Sequence, residues 1–207
     1  MEALVAFAAA LLALRLTALL ARRWRATRRP ELAAWTGALF AYAVACAALT
    51  WGAAAGWDAP AFRVYYLFGG LLTAPLLGVG SAVLYGWRRV KWVALVYVGL
   101  AVGIAISVPV HGAFGDSIPA AQDHLDFVPA RLAAIVANVT GTVAVIAVAI
   151  VTIRRRPLGN ALVLAGVSVA ALGTALSGLG AAKTALFVAI AALLLYGGFT
   201  GSPRVRR

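Results

Sequence analysis

Acidic residues are scarce in this chain of 207 residues: six Asp and Glu stand against 18 Lys and Arg, beside two histidines and one cysteine. Each shortage excludes a chemistry. Cys46 alone cannot build a disulfide, a CxxC redox pair or a thiolate zinc site within one chain. Two histidines fall short of the three converging ligands that a seven-helix zinc amidase of the ceramidase kind requires. Retinal needs a carboxylate counterion, and the third apolar run has none. The apolar runs hold no paired carboxylates, no Ser/His/Asp set and no Gly-rich phosphate loop. An intramembrane enzyme is therefore disfavoured, and no metal or cofactor is expected. No acid sits mid-run to carry a proton, so any transport would be facilitated diffusion.

What fills the chain is Ala, Leu, Val and Gly. At 64% hydrophobic and 12% charged, with mean hydropathy +0.96, it carries more apolar surface than a soluble core can hide. About 20 residues at 1.5 Å rise cover a hydrocarbon core of about 30 Å, and seven runs meet that length. They are Ala3 to Ala21, Leu32 to Ala55, Val64 to Gly86, Trp92 to Val110, Leu132 to Ile153, Asn160 to Gly180 and Ala182 to Thr200, here spans 1 to 7. The expected fold is an all-α polytopic membrane protein, a single seven-helix domain over 1–207 with no soluble domain.

Loop charge orients it. Arg22, Arg23, Arg25, Arg28 and Arg29 follow span 1; Arg88, Arg89 and Lys91 follow span 3; Arg154, Arg155 and Arg156 follow span 5; Arg204, Arg206 and Arg207 close the chain. These clusters alternate with loops bearing Glu2, Asp58, Asp116, Asp123 and Asp126. The positive-inside rule then puts the N-terminus outside and the C-terminus in the cytoplasm. The net charge of +12 is read as topology, not as a nucleic-acid footprint. Trp24, Trp35, Trp87 and Trp92 are expected in the inner aromatic belt, Trp51 and Trp57 in the outer one.

A faint repeat runs through the chain. Thr73, Ala74, Leu84, Tyr85 and Gly86 of span 3 recur at constant offset as Thr184, Ala185, Leu195, Tyr196 and Gly197 of span 7. Two parallel three-helix units, spans 1–3 and 5–7, would then be joined by span 4. In topology alone this plan resembles the three-plus-one-plus-three layout of the SWEET sugar transporters.

Polar residues inside hydrocarbon cost several kcal/mol unless paired or wetted. Arg15 in span 1 can snorkel to the inner headgroups. On span 5, Arg131, Ile135, Asn138 and Thr142 share a face by three- and four-residue spacing, with Asn138 about 10 Å and Thr142 about 16 Å below the outer end. Span 3 offers Arg63, Tyr66, Gly70 and Thr73; span 6 brings Thr174 and Ser177; Lys183 opens span 7. Together they outline an outer-half ligand site. The alternative is that small and hydroxylated residues only let helices pack closely. A membrane interior rules out glycosylation at the "NVT" of Asn138.

Above these mouths lies "HGAFGDSIPAAQDHLDFVPAR", residues 111–131, with both histidines and three of the six acids. Ser117 and Pro119 suit the start of a short helix running through Phe127. Ile118, Leu125 and Phe127 would lean on the helix tops. His111, Asp116, Asp123, His124 and Asp126 thus form an extracytoplasmic lid. Its acids would pair with Arg63, Arg131 or Lys183, or its histidines would sense protons. Imidazole and carboxylate suit a divalent cation, but the spacing matches no metal motif.

The first functional expectation is binding or transport of a small, amphipathic or anionic molecule through that outer-half pocket. The second is a non-catalytic subunit, scaffold or sensor module of a larger membrane complex. Expected partners are membrane lipids, a small-molecule ligand and another membrane protein, with no nucleic acid, in a bacterial-type plasma membrane.

Overall fold

The computed structural model describes residues 1–115, 118–125, 127–154, 157–178 and 184–200, and every regular element among them is helical. In order these are α1 (Glu2–Thr27), α2 (Pro30–Ala55), α3 (Ala59–Tyr65), a π-helical segment (Tyr66–Thr73), α4 (Ala74–Tyr85), α5 (Val90–Ser107), α6 (Ala121–His124), α7 (Val128–Val151), α8 (Pro157–Gly178) and α9 (Thr184–Thr200). Five rods are long and apolar enough to cross a membrane: α1, α2, the continuous Ala59–Tyr85, α5 and α7. The apolar stretches Pro157–Gly173 and Ala185–Thr200 are shorter.

Local chemistry sets the ends. The Asp58 carboxylate accepts from Ala61 N at 2.7 Å and Pro60 follows in the first turn, so α3 starts five residues before the expected span. Pro129 likewise opens α7 at Val128, which carries Arg131 into the helix. Gly86, at φ 115°, ends α4: Trp87 N bonds Ala82 O at 2.9 Å and Gly86 N bonds Val83 O at 3.0 Å. This is a left-handed helix stop, where a Cβ would be strained.

Packing proceeds through neighbours. α1 lies along α2, α2 along α4 and the π segment, α4 along α7, α8 along α9, and α9 returns to α1. α5 stands outside, touching α3, the π segment and α4. Small residues set the closest approaches. A Cβ on Gly78 would meet Gly141 Cα at 2.5 Å, and one on Gly141 would meet Ala74 O at 2.4 Å. There α4 and α7 run backbone to backbone.

Two tryptophans expected in the belts are packing pieces instead. The Trp35 indole lies over Gly80 and edge-on to Phe199 at 5.2 Å, while Trp57 fills the notch left by Gly52 and is buried. Trp51, Trp87 and Trp92 are more than 60% exposed, as belt residues are. Arg15 is exposed on α1, with its guanidinium 5.7 Å from the Tyr196 ring centroid, a cation–π contact.

The lid helix is shorter than expected. It covers only Ala121–His124, preceded by extended Ala120 and followed by extended Leu125. No side chain caps its start, which accounts for a single turn. Leu125 is buried and Ile118 packs half-buried against the cluster of Leu49, Trp57 and Ala61, whereas Phe127 is 49% exposed and does not lean inward. Asp116, Ser117 and Asp126 lie outside the described residues.

Candidate functional site

Pro75 organises the region where an outer-half site is expected. Lacking an N–H, it leaves a carbonyl without its helical donor: Leu71 O on an α ladder, Gly70 O on a π ladder. The rod widens into the π segment just before it, which moves the i−4 carbonyl clear of the proline ring. Both carbonyls then receive side-chain donors from other helices. Tyr97 Oη on α5 donates to Leu71 O at 2.8 Å, and Asn138 Nδ2 on α7 donates to Gly70 O. The second amide hydrogen of Asn138 goes to Ala134 O at 2.8 Å. Thr73 Oγ1 returns to Phe68 O at 2.7 Å. In hydrocarbon, where water is absent, these bonds are what makes the break tolerable.

Arg63 and Tyr66 also donate to backbone carbonyls. Arg63 Nη1 donates to Ala105 O at 2.6 Å, capping the C-terminal turn of α5 where a cation meets orphan carbonyls and the negative helix end. Tyr66 Oη donates to Ala130 O at 3.4 Å, tying the π segment to the start of α7. Thr142 is half-buried beside Gly141. Arg131 is half-buried in the first turns of α7. The span-5 stripe is split: Ala130, Ala134, Gly141, Val145 and Ala149 form the buried face, with Asn138 in line, while Ile135 is 59% exposed and faces away. Thr174 and Ser177 lie on α8 with side chains outside the described residues, as does Lys183.

One crevice lies beside Arg63 and Tyr66. Phe62, Arg63, Tyr66, Ile104, Val108 and Leu125 line a crevice of about 10 Å³, room for about one water molecule. No solute fits it in this conformation.

Among the described residues, His124 holds the lid. His124 is buried and its ring stacks on Phe114 at 4.5 Å and 15°, with Phe62 at 5.3 Å. Its Nδ1 lies 2.8 Å from His111 O, so Nδ1 carries the proton, because a carbonyl can only accept. His111 N returns the bond to His124 O at 3.1 Å. Gly112 turns at φ 86° with a Cβ position 3.4 Å from Nδ1, so the turn is closed tightly over the imidazole. Asp123 is exposed, and the one ion pair among the described residues is Arg29–Glu31. Nor do three His, Cys, Asp or Glu side chains converge among the described residues. His124→Ala should therefore cost about 2 kcal/mol of local stability, one hydrogen bond plus one ring stack. Hydrogen exchange over 111–125 should rise accordingly, and Asp123→Lys should leave it unchanged. Equal loosening by both would give Asp123 a part in holding the lid.

Tyr97 and His124's packing role are not apparent from local patterns, although the missing N–H of Pro75 signals that donors must come from elsewhere. No family model, curated protein or solved structure matches this chain.

Proposed function

We propose that the chain is a seven-span protein of a bacterial-type plasma membrane, N-terminus outside and C-terminus cytoplasmic, that acts as a non-catalytic subunit or scaffold for another membrane protein. α8 and α9 pack on each other and α9 on α1, which supports counting them as spans 6 and 7. A parallel duplication of spans 1–3 and 5–7 belongs to the same proposal, with the outlying α5 as its connector.

One observation carries the functional reading. Arg63 Nη1, Tyr66 Oη, Thr73 Oγ1 and the Asn138 amide each donate to a backbone carbonyl, whereas a solute site aims polar groups into a cavity of about 300 Å³ or more. The outer-half polar groups serve helix–helix structure. α5 supports an outward role: Val96 and Leu100 are 66% and 61% exposed, and Gly99 and Gly103 face open space, a surface of the kind that associates in lipid.

A photoreactive residue at Leu100 should give one discrete protein adduct in intact cells, and the same residue at Leu14 on α1 none. Lipid adducts alone at Leu100 would remove the scaffold reading. Orientation has its own check. Ala113→Cys should react with an impermeant thiol reagent from outside only and Arg89→Cys from inside only, with Cys46, 2% exposed, as a silent background; the reverse pattern inverts the topology.

The second reading is an outer-half site for a small amphipathic or anionic molecule. It is favoured by the half-buried Arg63 cation at the edge of the crevice beneath α6, and it requires opening of the lid together with Thr174, Ser177 and Lys183.

A further inference from the structure

An open cleft lies at the opposite, arginine-rich end of the bundle, where α2 begins and α4 stops. Arg29, Pro30, Glu31, Val83, Leu84 and Arg88 line about 320 Å³ there. Its two arginines differ in how they are held. Arg29 Nε donates to Glu31 Oε1 at 2.6 Å, its Nη2 lies 2.5 Å from the same oxygen, and Glu31 is only 6% exposed. A buried acid thus fixes the plane of a guanidinium whose side chain is 60% exposed. The Nε and Nη2 edge is turned to Glu31, and the N–H groups of the other edge remain for an acceptor. Arg88 has no side-chain hydrogen bond or ion pair among the described residues. The left-handed turn at Gly86 brings it back to the rim of the same cleft.

Charge and shape together describe the ligand. Glu31 neutralises one arginine and Arg88 remains uncompensated, so the cleft favours an anion. Two guanidiniums suit the oxygens of a phosphate, which they bind by charge-assisted, fork-like hydrogen bonds. The wall between them is Val83 and Leu84, the latter 40% exposed at the end of an apolar rod. That wall continues toward hydrocarbon, as a free phosphate would not need and an acyl chain would.

We propose that this cleft seats the phosphate of an anionic phospholipid, with Arg29 and Arg88 as its ligands and Val83 and Leu84 against the chain. The site is independent of the scaffold reading. The protein in nanodiscs of equal phosphatidylglycerol and phosphatidylcholine, released into native mass spectrometry, should retain phosphatidylglycerol preferentially. Arg88→Gln should lower that retention about tenfold, the loss expected for hydrogen bonds to a charged group, without changing thermal stability. Arg89→Gln, outside the cleft lining, should leave it unchanged. Equal retention of the two lipids would overturn the proposal. So would an equal loss from Arg89→Gln, which would assign the effect to diffuse charge. Displacement of the lipid by excess inorganic phosphate would make this a free-phosphate site and overturn the lipid assignment.

Discussion

Gly141→Ala should destabilise the protein by about 3 kcal/mol, the upper end of overpacking penalties. The added Cβ would lie 2.4 Å from Ala74 O, 2.6 Å from Ala74 C and 2.8 Å from Pro75 Cα. All three are backbone atoms of α4, so no side chain can rotate away. The helices must separate, and separation stretches the Asn138 bond to Gly70 O, which lies one turn along the same face. Gly99→Ala is the internal control: nothing lies within 4 Å of its Cβ position, and alanine in a helix interior is favoured over glycine by about 0.5–1 kcal/mol. Thermal aggregation in detergent should therefore move down for the first variant and up or not at all for the second. A tolerated Gly141→Ala would mean that α4 and α7 do not meet backbone to backbone.

The second large effect concerns the proline break. Asn138→Leu removes the donor from Gly70 O within the bilayer and should cost about 2 kcal/mol, the penalty for an unsatisfied buried acceptor. If the pocket reading held instead, this substitution would change what copurifies with the protein and leave its stability almost untouched. The cause can be isolated through Pro75. Pro75→Ala returns an N–H that reaches Leu71 O or Gly70 O, so one of the two capping side chains becomes redundant. Either Asn138→Leu or Tyr97→Phe should then cost less than half as much in the Pro75→Ala background as in the wild type. Strict additivity in both double-mutant cycles would sever the link between the proline and its two donors.

Both predictions use residues that the sequence makes visible for other reasons. Asn138 stands out because an amide in hydrocarbon needs a partner, and that much was legible from the sequence. Its partner was not, because Gly70 lies 68 residues away and is exposed as an acceptor only where the π segment interrupts the rod. Helical spacing grouped Asn138 with Ile135, and grouped Arg63 with Tyr66, Gly70 and Thr73. A π turn takes more residues per revolution than the α-helix on which that spacing rests, so the second grouping lost its register in the rod itself. The lid shows the same division. Its acids draw attention by charge, yet the buried group is His124, whose ring is held by Phe114 and Phe62 and by a carbonyl 13 residues back in the chain.

By itself the sequence determined the helical class and the apolar rods, since hydropathy over about 20 residues and the proline, glycine and aspartate stops act within a turn of where they stand. It also determined which end of each rod is basic. Tertiary structure alone decided that α5 lies outside the bundle, that Gly78 and Gly141 share one contact, and that Pro75's orphan carbonyls are served by Tyr97 and Asn138. It also decided that Arg29 and Arg88 rim one cleft. Those facts depend on which helices are neighbours, and in a chain of near-uniform Ala, Leu, Val and Gly one apolar face resembles another. Only the fit of small residues and the placement of a few hydrogen-bond donors select the pairing.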